Sequence, residues 1–155
     1  MDDGEVPGEL EFDDEMRSRY GFTIEQAMRA GPRQIYAAWT KKFDTWFALP
    51  GAIRMNAVVG EPYWFDVVHD GKRHPHYGRF TALQPDLLVE QTWLTGESGT
   101  DGAETLLRVE LEAAESGTLV RLTHRGFYDQ AASKRHADAW PQVLHHLDEV
   151  LIAAN

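Results

Sequence analysis

Histidines, glycines and a dense set of aromatic side chains carry whatever chemistry this chain can do, because it contains no cysteine. Thiolate nucleophiles, disulfides and thiolate metal sites are thereby excluded. His69, His74 and His76 lie close together, and His74 and His76 share a strand face. With Asp70 they offer two imidazoles and a carboxylate, a set zinc can use, but no clear fourth ligand accompanies them, so no metal is expected. Gln91 and His124 stand among apolar neighbours on inward strand faces. A buried polar group needs a partner, which protein, water or ligand can supply. Neither a glycine-rich phosphate loop nor a serine elbow is present, and no nucleophile stands beside His124, so hydrolytic catalysis has little support.

Elements must position these residues. From Ser133 onward, Trp140, Val143, Leu144, Leu147, Val150, Leu151 and Ala154 repeat the spacing of one helix face, with Gln142, His145, Asp148 and Glu149 opposite and suited to water. Pro141 removes a backbone donor there, so the helix is expected to restart or kink near Trp140. At the other end, Tyr20, Phe22, Ile24, Gln26 and Met28 alternate with smaller or polar residues as in a half-buried strand. Gly31-Pro32 breaks that pattern and opens two short helices, or one bent one, carrying Tyr36, Trp39, Phe43, Trp46 and Phe47 and ending at Leu49-Pro50-Gly51. This aromatic density is either plain core or the wall of a ligand site.

Between Ala52 and Gly126 six strands follow. Ile53, Met55, Ala57 and Val59 read as one inward face, and Tyr63, Phe65 and Val67 as the next. Asp70-Gly71 signals a tight hairpin, before His74, His76, Gly78 and Phe80. Val89, Gln91 and Trp93 precede a glycine-bearing loop, and Leu107, Val109, Leu111 and then Val120, Leu122, His124 complete an antiparallel meander.

Charge is unevenly placed. Residues 1–15 hold eight acids and no base; removing those from the 25 acids leaves 17 against 15 basic residues. Residues 1–19 therefore read as an acidic, disordered tail, with Val6, Leu10 and Phe12 as its only docking handles, and residues 20–155 as one domain. No basic stripe exists to neutralise phosphates, so nucleic acid is not an expected partner. No apolar run reaches spanning length and no signal peptide opens the sequence, so no membrane role and a cytoplasmic location are expected.

The order strand, two short helices, six antiparallel strands and long C-terminal helix resembles the helix-grip fold of the START-like (SRPBCC) superfamily. Within it, the branch of the heat-shock chaperone ATPase activator homologues is the most similar. The matching stretches are GPRQIYAAWT, HPHYGRFTALQPDLLVEQTW, ETLLRVELE and GTLVRLTHRGF, then the helix with His136, Ala139, Trp140, Leu144 and Leu147. Two departures touch the mouth of the cavity: Ala139 replaces the family's usual glycine before the helix tryptophan, and the segment Thr45–Leu49 differs from the usual second helix.

The resemblance implies an α+β protein whose curved sheet grips the helix around a mostly apolar cavity. Its expected ligand is a bulky hydrophobic small molecule such as a polyketide, with no cofactor. The side chains expected to line the cavity are Trp39, Phe43, Phe65, His76, Phe80, Gln91, Trp93, His124, Trp140 and Leu144. A stoichiometric binder is favoured over a turnover enzyme. The chain is also similar to proteins of this fold that give self-resistance to enediyne antibiotics by sacrificing their own backbone. That similarity would make Gly78, Gly99 or Gly102 the sacrificial residue. A glycine on an inward face, such as Gly78, would leave its Cα hydrogens uncovered beneath the ligand. Two alternatives are a polyketide cyclase or aromatase using His124 with a tyrosine or arginine as acid and base, and a co-chaperone-like module whose contact is the acidic tail.

Overall fold

Seven antiparallel strands form one sheet in the order β1-β7-β6-β5-β4-β3-β2. They are β1 (Gly21–Met28), β2 (Ile53–Arg54), β3 (Pro62–His69), β4 (Lys72–Gln84), β5 (Leu88–Trp93), β6 (Thr105–Ala114) and β7 (Gly117–Arg125). Helix α1 (Pro32–Thr40) and a 3-10 turn (Phe43–Thr45) follow β1, and α2 (Gln130–Ala153) closes the chain. This is the expected α+β helix grip. The computed structural model describes residues 20–97 and 99–154, so the acidic segment expected over 1–19 lies outside the described residues.

Local chemistry explains the connections. Asp70 (φ 54°) and Gly71 (φ 74°) both take left-handed backbone, which the two-residue β3–β4 hairpin requires. Pro32 opens α1 where its missing N–H costs nothing, and the Gln34 side chain accepts from the Gly31 N–H at 3.1 Å. The Asp129 carboxylate caps α2 by accepting from the Ala132 N–H at 2.8 Å.

Four expectations need correction. The stretch from Ile53 to Val59 is a strand only over Ile53–Arg54; Val58 and Val59 are 50% and 53% exposed, because a tight turn (Val58 N–H to Asn56 O, 2.8 Å) lifts them off the sheet. The second short helix is one 3-10 turn. Helix α2 starts at Gln130 and runs through Pro141 without restarting. Nearby, Gln26 Nε2 donates to the Pro141 carbonyl at 3.4 Å, holding the β1 edge to this turn of the helix.

Asp148 is the fourth. Placed by periodicity on the wet face, it is only 6% exposed. Its carboxylate accepts from the backbone N–H groups of Arg29 (3.0 and 3.1 Å) and Ala30 (3.0 Å) and from Arg29 Nε (3.1 Å). The chain leaving β1 has no strand partner at this point, and α2 supplies the acceptors instead.

Candidate functional site

The concave face of the sheet, α1 and α2 enclose an aromatic interior. All ten side chains expected to line a cavity are buried there. Trp39 comes from α1 and Phe43 from the 3-10 turn; Phe65 comes from β3, His76 and Phe80 from β4, and Gln91 and Trp93 from β5. His124 stands on β7, and Trp140 and Leu144 on α2. The rings pack on one another. Trp140 lies 5.8 Å from Trp39, 5.7 Å from Trp93 and stacked 6.0 Å from Phe47, between ring centroids. Phe43 lies 4.8 Å from Phe65, which stacks on His76 at 4.7 Å. The grip is thus filled by its own side chains, and a guest must displace some of them.

Polar groups in this interior form two networks. In the first, the Trp140 indole N–H donates to His124 Nδ1 at 3.1 Å, which makes Nδ1 an acceptor. The neutral ring then carries its proton on Nε2 and donates to Thr105 Oγ1 at 2.8 Å; Thr105 passes its own proton to the Trp93 carbonyl at 2.6 Å. Burial holds His124 well below its usual pKa, with the neighbouring His136 adding in the same direction. Both ring nitrogens are thus engaged, and the neutral ring ties α2 and β6 together through β7.

The second network ends incompletely. Tyr63 Oη donates to the Thr92 carbonyl at 2.5 Å, and its lone pair accepts from Gln91 Nε2 at 3.3 Å. That orients the amide and leaves Gln91 Oε1 buried without a partner. Trp39 Nε1, a donor, is buried and unpartnered as well. Burial pushes the Tyr63 phenol far up, opposed by its bond to Gln91, so it stays protonated.

Histidine 76 donates from Nδ1 to the His74 carbonyl at 2.9 Å. Burial lowers it to about 4, against the opposing pull of that carbonyl. His136, which the sequence reading passed over as a site residue, sits on α2 with its ring 5.3 Å from His124 and is likewise lowered by burial. Tyr63 and Thr105 were also missed. A tyrosine hydroxyl alternating with core phenylalanine, and a threonine opening a strand toward His124, were the available signals.

The glycines divide. A methyl group on Gly78 would run into the Thr92 carbonyl oxygen and lie 2.6 Å from the Tyr63 hydroxyl oxygen, so the Cα hydrogen on that side, expected to be bare, is covered. Gly78 is a packing glycine. At Gly99 the added carbon would run into the Thr95 side chain, whose hydroxyl accepts from the Thr100 N–H at 2.6 Å. Of the three candidates, only Gly102, at φ +85°, has open space beside it. His69 and His74 are separated by 6.1 Å between ring centroids on the β3–β4 hairpin, and among the described residues no three ligating groups converge.

A family profile described as Activator of Hsp90 ATPase homolog 1-like protein matches residues 29–152. The chain belongs to that family. No curated protein matches it. Among solved structures, protein CV1439 from Chromobacterium violaceum is similar at 18% identity and TM-score 0.73, over 86% of this chain and 97% of that one. The AHSA1 protein SPO3351 from Silicibacter pomeroyi is 23% identical at TM-score 0.69, over 87% and 99% of the two chains. Ara h 8.0201 is 15% identical at TM-score 0.68, over 86% and 98%. At these identities the structures share the helix-grip fold with this family member. Among the described residues no helix is long and apolar enough to cross a membrane.

Proposed function

We propose that the protein binds a bulky hydrophobic small molecule in the interior of the grip, between α2 and the concave face of the sheet. The observation that carries this is the pair of buried, unpartnered polar atoms, Gln91 Oε1 and Trp39 Nε1, inside an aromatic interior whose other buried side-chain polar atoms are paired. An acceptor and a donor left open in such surroundings cost stability unless a guest completes them, and a few polar groups in an apolar pocket are the usual form of a small-molecule site. Full use of both His124 nitrogens favours a binder over a catalyst. Titration with planar polyketides, sterols and fatty acids tests the reading. A saturable change in the fluorescence of Trp39, Trp93 and Trp140, with a raised melting temperature, is expected for at least one class. No saturable change with any class would refute it.

A narrower reading, enediyne self-resistance in the manner of the calicheamicin self-sacrifice protein, is supported by one observation. Gly102 has an open face and lines a cleft of about 520 Å³ with Tyr77, Leu94 and Glu97. A ligand diradical held there would take a Cα hydrogen from Gly102, and oxygen capture of the resulting carbon radical would lead to chain cleavage. Mapping fragments after exposure to an activated enediyne tests this. An intact chain alongside cleaved DNA would end the narrower reading and leave the broader one standing.

A further inference from the structure

The outer, convex face of the sheet takes no part in the grip, although Tyr77 and Leu94 on it also line the cleft beside Gly102. Trp64 alternates with the buried Tyr63 and Phe65, so it points outward, and it pairs across strands with Tyr77 on β4. Tyr77 in turn bridges to Leu94, and on the other side Trp64 pairs with Arg54 of β2. One cross-sheet row thus reads Arg54, Trp64, Tyr77, Leu94. Tyr77 is 48% exposed. Arg79 follows Tyr77 on the same face of β4, and neither it nor Arg54 forms an ion pair among the described residues. In a protein of net charge -10, this is an aromatic strip edged by unpaired cations.

We propose that this strip is the docking surface for the chain's own acidic N-terminal segment, residues 1–15. Charge complementarity is the first argument: that segment holds eight acids and no base, with Leu10 and Phe12 to lie on the rings. Reach is the second. The register runs Gly21, Arg125, Leu106, Thr92 across β1, β7, β6 and β5, and Arg79 N–H meets Thr92 Oγ1 on the next strand. Tyr20 therefore leaves the sheet at the same end as Tyr77 and Leu94. Four strand spacings separate β1 from β4, roughly 19 Å. The eight residues from Tyr20 back to Phe12 span up to roughly 26 Å when extended. Phe12 thus comes within range of Tyr77 with about 7 Å to spare, and the acids on either side of it come over Arg79 and Arg54.

The absence of native cysteine makes the test clean. A nitroxide attached at Glu11→Cys in the full-length, isotopically labelled chain is read by paramagnetic broadening. The expected result is selective loss of the Tyr77 and Leu94 amide signals and of the Trp64 indole signal, reversed by Arg54→Glu with Arg79→Glu and by high salt. Broadening confined to the neighbourhood of Tyr20, or unchanged by the two charge reversals, overturns the proposal. Broadening centred on α1 does so too. Mixing nitroxide-bearing chains with isotopically labelled, nitroxide-free ones gives the last arm: loss of the same signals there would place the segment on a second copy and overturn docking within one chain. Because all the altered side chains lie outside the grip, ligand titration of the same variants stays independent of this outcome.

Discussion

Replacing Gln91 with leucine separates a structural amide from one kept for a guest. Oε1 is buried without a partner, a penalty of about 1–3 kcal/mol. Against that stands one long hydrogen bond, Nε2 to Tyr63 Oη at 3.3 Å, worth about 0.5–1 kcal/mol. Tyr63 keeps its stronger bond to the Thr92 carbonyl either way. Leucine has a similar volume and gains from burial between Phe80 and Leu107, its cross-strand neighbours. The balance favours leucine by about 1 kcal/mol, which at this chain length raises the melting temperature by roughly 3 °C. Affinity for whichever ligand the titration finds should fall by about tenfold or more, the equivalent of one lost buried hydrogen bond. Denaturant unfolding and calorimetric titration of the same sample read both numbers. A variant destabilised by more than about 2 kcal/mol would show that Oε1 has a structural partner. Unchanged ligand affinity would refute the role assigned to the amide.

Trp140→Ala should cost about 3–5 kcal/mol in denaturant unfolding, since it empties the space between Trp39 and Trp93 and strips His124 Nδ1 of its donor; an unaltered midpoint would refute the packing assigned to the helix. Acid should destabilise the fold through its buried histidines. His76 titrates at about 4 instead of 6.5, so the unfolded chain takes up its proton first. The contribution is complete above pH 6.5 and is lost as pH falls from there toward 4, about 3 kcal/mol for 2.5 pKa units. His124 and His136 act in the same direction. Stability measured at pH 7 and pH 5 should therefore differ, and His76→Phe should shrink the difference; equal stability at the two values would refute the argument. Asp148→Ala should cost about 3 kcal/mol by leaving the Arg29 and Ala30 N–H groups unpaired, whereas Asp148→Asn, which retains one acceptor, should cost less; a loss below about 0.5 kcal/mol for alanine would show that water replaces the carboxylate.

Periodicity and turn chemistry made most of the fold legible. The alternation around Gln91 and His124 put both on the concave face, and Asp70-Gly71 fixed its hairpin, because these signals act within a few residues. What stayed hidden depends on groups far apart in the chain. Asp148 sits at a position that looks solvated on a helical wheel; its partners lie 118 and 119 residues away and are backbone groups that carry no sequence signature. Gly78 looked bare because Tyr63, its cover, reaches it from the neighbouring strand. The same ring explains why all ten candidate lining residues could be placed inward while the filling of the space between them could not. Orientation follows from a period of two; closure follows from side-chain volumes meeting across the sheet.

The two indoles packed against each other in the interior, Trp39 and Trp140, give the grip a built-in clock. The Trp140 indole proton is tied to His124, and through it to β6 and β5, so it exchanges with deuterium only when the helix lifts from the sheet. The Trp39 indole proton is as deeply buried but bonded to nothing, so any water that penetrates without lifting the helix reaches it first. The ratio of their exchange rates therefore separates breathing of the interior from detachment of the helix. A guest that slips in past the 3-10 turn would slow the Trp39 proton alone, while one that enters under the helix would slow both.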